Sequence, residues 1–181
     1  MANHSHPSTQ ARLGNRRILV VSNGIVEAEA FRRATGMGRR DELHAEVRVV
    51  APALNSRLRH WLSDEDEARG RADTRLAATL ETLCAAGIAA AGRVGDADPL
   101  QAIADELVEF HPDEIVIATP PDGHSHWATR DLSGQARRRF DQAVVEIVAE
   151  AEGNARAPLA SRTRRSALAG SLACTGVEAN A

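Results

Sequence analysis

The densest group of potential ligands in the chain is His124-Ser125-His126, with Asp122 and Asp131 close enough in sequence to add an oxygen donor. Two imidazoles and a carboxylate can begin a hydrolytic metal site, but a third ligand at diagnostic spacing is missing. The pair therefore reads as solvated histidines of the polar loop 120–126, and a metal-dependent hydrolase ranks last among the functions considered. Ser125 and Ser133 lie near these histidines, and neither stands in a GxSxG elbow. Cys84 lies in an apolar helical stretch and reads as a small core residue, not a nucleophile. The chain has no lysine, so all 22 basic residues are arginine. Schiff-base chemistry, the P-loop lysine and the kinase-type lysine are excluded. No residue set specifies covalent catalysis, no catalytic or metal site is assigned, and an enzyme is not expected.

Glycine-rich nucleotide loops are equally thin. After the first apolar run only Gly24 is present, where GxGxxG needs three glycines. Gly36-Met37-Gly38 is followed by Asp41 where the third would fall, and it sits late in a helical stretch. Arg137-Arg138-Arg139 is a compact basic run, but its members point in different directions on a helix, which suits a solvated face.

Composition narrows the classes further. The 181 residues suffice for one domain; 43% are hydrophobic and 26% charged. The 22 basic and 25 acidic residues leave a formal charge of −3, which argues against nucleic acid held by bulk charge. Phe31, Phe110, Phe140, Trp61 and Trp127 are the only rings, too few for a base-stacking surface. No run approaches the length of a membrane span, and residues 1–14 lack the apolar core of a signal peptide. Cys84 and Cys174 form no CxxC pair, so no disulfide framework is expected. Together these features predict a cytoplasmic protein without nucleic-acid or membrane partners.

The elements that must position these residues can be read from periodicity. Residues 1–15 and 151–181 have little to bury and are expected to be disordered tails around a domain at 16–150. Strands are predicted at Arg17–Ser22, Glu46–Ala51, Ile88–Val94, Glu114–Thr119 and Ala143–Val148. Their continuous apolar runs suit burial on both faces of a parallel sheet. Between them, Glu27–Arg40 reads as a helix interrupted by Gly36 and Gly38. The longest helix is predicted at 63–86, with Ala72, Leu76, Leu80 and Leu83 inward and Gly87 at its end. Asp98-Pro99-Leu100-Gln101 predicts a capped helix start, with Gln101 reaching back as in a capping box. Leu100, Ile103, Ala104, Leu107 and Val108 are expected on its inner face. Leu132, Ala136 and Phe140 mark a last helix. The alternation predicts an α/β fold: one doubly wound, mostly parallel five-stranded sheet, Rossmann-like, with helices on both faces. Ligands of such sheets bind beyond the carboxyl ends of the strands. The loops of interest are 22–26, 51–56, 95–98 and 119–126.

In that order and spacing, Arg17–Gly24, Glu46–Pro52, Val94-Gly95-Asp96 through Ala104, Asp113–Ala118 and Val144–Val148 resemble the universal stress protein family over about residues 16–149. The resemblance implies a UspA-like fold, a stress-related regulatory role, pairing of two copies through the last strand, and no shared catalytic set. ATP-binding members of the family carry G-x2-G-x9-G-S/T after the fourth strand. Laid on this chain, that motif falls on Ala118, Pro121, Asp131 and Leu132, and none of the four fits. Pro121 has no amide hydrogen, Asp131 brings a negative charge, and Leu132 lacks the hydroxyl. The family's acidic residue after the first strand falls on Asn23. The resemblance thus implies a degenerate pocket at Asn23, Gly24, Ala51, Thr119, Gly123 and Ser125, with usual ATP binding lost and no cofactor. It implies a homodimer through Ala143–Val148. A diverged module for ATP or AMP is the alternative.

Overall fold

The computed structural model describes residues 15–38, 44–54, 64–121 and 131–150. It contains five strands: β1 (Arg16–Ser22), β2 (Ala45–Pro52), β3 (Ala90–Gly95), β4 (Glu114–Thr119) and β5 (Ala143–Val148). Among the described residues, four helices connect them: α1 (Ala28–Thr35), α2 (Asp64–Ala85), α3 (Pro99–Glu109) and α4 (Leu132–Arg139). All strand pairings are parallel, in the order β3-β2-β1-β4-β5. The chain winds outward from β1 to β3, then returns to β4 on the other side of β1. This is the doubly wound α/β architecture expected from the alternation of elements.

Two-sided burial explains the composition of the central strands. Ile18 and Val20 face a core with Phe31 of α1 and Ala72, Leu76 and Leu83 of α2. Their neighbours Leu19 and Val21 face the opposite core, with Ala102 and Ile103 of α3 and Leu132 and Ala136 of α4. The four-residue run Ile18–Val21, apolar and buried on both faces, suits the interior of such a sheet. Full burial of Phe31 alone contributes about 2–3 kcal/mol.

The helix ends show where local chemistry wins. α1 stops at Thr35, short of the predicted Arg40, because Gly36 adopts a left-handed conformation (φ 64°) and its N–H bonds to Arg32 O. Arg16 reinforces this stop by donating to Thr35 O at 2.7 Å while pairing with Glu114 at 2.6 Å. At α3, Asp98 caps as predicted, accepting from Leu100 N at 2.9 Å. Gln101 does not reach back: its amide donates to Asp105, and Asp96 accepts from the Asp98 N–H instead. The predicted inner face of α3 is also corrected. Val108 is 77% exposed, whereas Glu106 is only 1% exposed.

Glu106 can be buried because two arginines meet it. Arg93 of β3 bonds to one carboxylate oxygen at 2.5 Å, and Arg48 of β2 lies 3.3 Å from the other. Glu109 joins both arginines at 3.5 and 3.6 Å. Burial opposes the charge of Arg93, but the bond and field of Glu106 and Glu109 outweigh it and raise its pKa above the ordinary arginine value. A raised cation contributes its stability below the ordinary arginine range, so this linkage does not change through neutral pH. Arg48 and Arg17 also lie over the buried Phe110 ring, at 4.7 and 4.5 Å from its centroid.

Replacing Glu106 with alanine removes the shared counter-charge of two strands. The Glu106→Ala protein is expected to lose about 2–3 kcal/mol of stability in urea unfolding at neutral pH. A loss under about 0.5 kcal/mol would show that Glu109 alone suffices for the two arginines.

Candidate functional site

Where the winding reverses, β1 and β4 end side by side and their chains leave in different directions. A crevice at this point is the usual ligand position of an open α/β sheet. Its floor is closed by a hydrogen bond from Asn23 N to Ala118 O, 3.0 Å. The Ser22 hydroxyl then ties the turn, donating to Gly24 O and accepting from Gly24 N. Val26 N is pinned to Thr79 Oγ1 of α2 at 3.2 Å. This turn is buried from Gly24 to Val26, with Asn23 half-buried.

The chain beyond β5 crosses this crevice. Ala149 N donates to Thr119 O at 2.7 Å. Glu150 N donates to Ile25 O at 2.8 Å, and Ile25 N donates to Glu150 O at 3.0 Å. An antiparallel bridge, Ile25↔Glu150, thereby straps the end of β5 to the turn after β1. Gly24 has to be glycine here. A β-carbon on it would lie 2.7 Å from Glu150 O and 2.8 Å from the Ala149 β-carbon.

The predicted pocket residues are therefore divided. Asn23, Gly24 and Thr119 do converge, but Asn23 N is bonded to Ala118 O, Thr119 O to Ala149 N, and both backbone groups of Gly24 to the Ser22 hydroxyl. Ala51 does not face the crevice with its side chain, which is fully buried in the core beside α2. Gly123 and Ser125 lie outside the described residues, as do Asp122, His124 and His126. Among the described residues, no group of three His, Cys, Asp or Glu side chains is placed to hold a metal ion.

The start of α4 faces the same end of the sheet. Asp131 has positive φ (49°) and caps the helix, accepting from Gly134 N at 3.1 Å. Its carboxylate lies 3.5 Å from Arg138. An amide at a helix N-terminus is a natural phosphate donor, and here the chain's own carboxylate has taken it. Beside it, the Ser133 hydroxyl donates to Glu146 Oε2 at 2.9 Å. The Thr119 hydroxyl sits between Glu146 Oε1 and Ile147 O, at 3.4 and 3.5 Å. The hydroxyls thus serve a carboxylate of β5. Sequence reading missed this network, because Glu146 was visible only as one polar residue of an alternating strand.

Cys84 is a second correction. The buried stripe of α2 runs through Ala72, Leu76, Thr79 and Leu83, which leaves the next residue turned outward. Cys84 is exposed, and it is disulfide-bonded. Cys174 lies outside the described residues. The sequence led to no expectation of a disulfide, and this bond departs from it. No helix among the described residues is long and apolar enough to cross a membrane.

Adding one methyl group at Gly24 must displace the strap. Gly24→Ala is expected to cost about 1–3 kcal/mol in thermal or urea unfolding. It should also speed hydrogen exchange at the amides of Ile25, Ala149 and Glu150. Unchanged exchange at these amides would mean that the strap does not rest on Gly24. No protein-family model matches the chain, and no curated protein matches it.

Proposed function

We propose that this chain is a non-enzymatic regulatory protein of the universal stress protein type, acting through dimerisation or partner binding, in which usual ATP binding is lost. The observation that carries the reading is the strap. Ala149 and Glu150 use the backbone groups of Thr119 and Ile25, and they close on Gly24. A nucleotide entering at the reversal point would have to break these bonds and replace them.

Two further features support it. The Asp131 carboxylate holds an amide that a phosphate would need, and it repels the phosphate charge. Pro121, at a position of the family's phosphate loop, offers no N–H at all. The proposed contact surface is β5, which ends the sheet and has one edge unpaired among the described residues. Val148 on this strand is 63% exposed.

Calorimetric titration of nucleotide-stripped protein with Mg-ATP, then with AMP, tests the reading. No heat of binding is expected up to about millimolar ligand. Low-micromolar binding, near −8 kcal/mol, would instead make the chain a diverged adenine-nucleotide module.

A further inference from the structure

The outer edge of β5 carries a device of its own. Consecutive residues of a strand turn their N–H and C=O groups to opposite sides. Ala149 N bonds to Thr119 O, so the odd-numbered residues here face β4. The backbone groups of Val144, Glu146 and Val148 therefore face outward, away from the sheet. At Val144 that outward carbonyl is already occupied. Arg137 of α4 donates to it from Nε at 3.4 Å and from Nη2 at 3.2 Å.

We propose that Arg137 is a guard on the edge of β5 that holds pairing with a second copy of this chain in check. The inference rests on the reading of β5 as the contact strand. Val144, Glu146 and Val148 are evenly spaced about Glu146, so the edge is self-complementary under a two-fold axis. An antiparallel copy would set Val144 of each chain opposite Val148 of the other. The N–H of each Val148 would then need the Val144 carbonyl that Arg137 holds. The guard thus competes for and crowds an acceptor at both ends of the ladder and leaves the Glu146 pair at its centre. Glu146 faces its own copy there, but its carboxylate is turned to Ser133 and Thr119. A cationic side chain placed on an unpaired edge is a known means of limiting edge-to-edge association.

Electrostatics does not provide the same outcome. Removing Arg137 makes the −3 chain more negative, which by itself weakens self-association. A gain in association on its removal therefore reports release of the β5 edge, not the change in net charge.

Sedimentation velocity of the full chain over a concentration series is the test, with circular dichroism to verify folding. Arg137→Ala is expected to self-associate about tenfold more tightly than the unmodified chain. Adding Val148→Pro removes an outward N–H without touching the β4 ladder, and it should reverse the gain. If the unmodified chain dimerises, Val148→Pro abolishes the dimer and Arg137→Ala changes nothing, the guard is overturned while β5 remains the contact strand. If Arg137→Ala associates and Val148→Pro does not reverse it, association runs through another surface and the guard is overturned. If neither protein associates, both the guard and the β5 reading fall.

Discussion

The reversal of winding at β1 is the constraint from which the rest of the molecule follows. β1 bonds to β2 on one side and to β4 on the other, and every apolar residue from Ile18 to Val21 is fully buried. The chain must leave β1 toward α1 and leave β4 in another direction. Backbone groups at Ile25 and Thr119 are then stranded at a mouth that no strand fills. Buried groups of this kind have to find partners in protein, water or ligand. In this chain Ala149 and Glu150 supply them.

The same logic recurs at α4. The first amides of a helix lack partners within it, and a phosphate or a carboxylate can serve them equally. Asp131 is such a carboxylate, and its positive φ brings it over the helix start. An anion competing for Gly134 N would have to displace a group of its own charge. The departures at Pro121, Asp131 and Leu132 therefore act in one direction, since each removes a donor or adds a negative charge. The proposed loss of nucleotide binding rests on these own-chain groups, at the mouth and at the Gly134 amide.

How much of this was legible depended on whether the signal was local. β4 and β5 match the predicted bounds residue for residue, because a run such as Ile115-Val116-Ile117 between Pro112 and Pro120 leaves no alternative. The doubly wound order followed from alternation alone. The misses that matter most for the core involve partners distant in sequence. Glu106 is absent from the predicted inner face of α3, and Arg48 and Arg93, on two other strands, make its burial tolerable. Val108 was placed inward because apolar residues usually are, while the true stripe runs Ile103, Glu106, Phe110. Gln101 lost its capping role to Asp96, which lies closer to the same N–H. The strap was invisible for a simpler reason: nothing in Ala149-Glu150 marks it, and only the glycine at position 24 records the close approach on the other side.

The exclusive use of arginine has a structural reading that bears on function. Arg16 donates to Thr35 O, Arg32 to Ala86 O, Arg75 to Pro52 O and Arg137 to Val144 O. Each guanidinium serves a carbonyl at a helix end, a strand end or a sheet edge. Its planar fork can meet such an oxygen and a second acceptor at once, as Arg16 does with Glu114. A lysine ammonium has no such fork. Arginines committed to the chain's own carbonyls and carboxylates are not free to build an anion-binding face. Abundant arginine and a net charge of −3 are thus compatible, and these four arginines act as internal staples. The one of these staples that lies on an open sheet edge, Arg137, is then the one whose release changes what the molecule can meet.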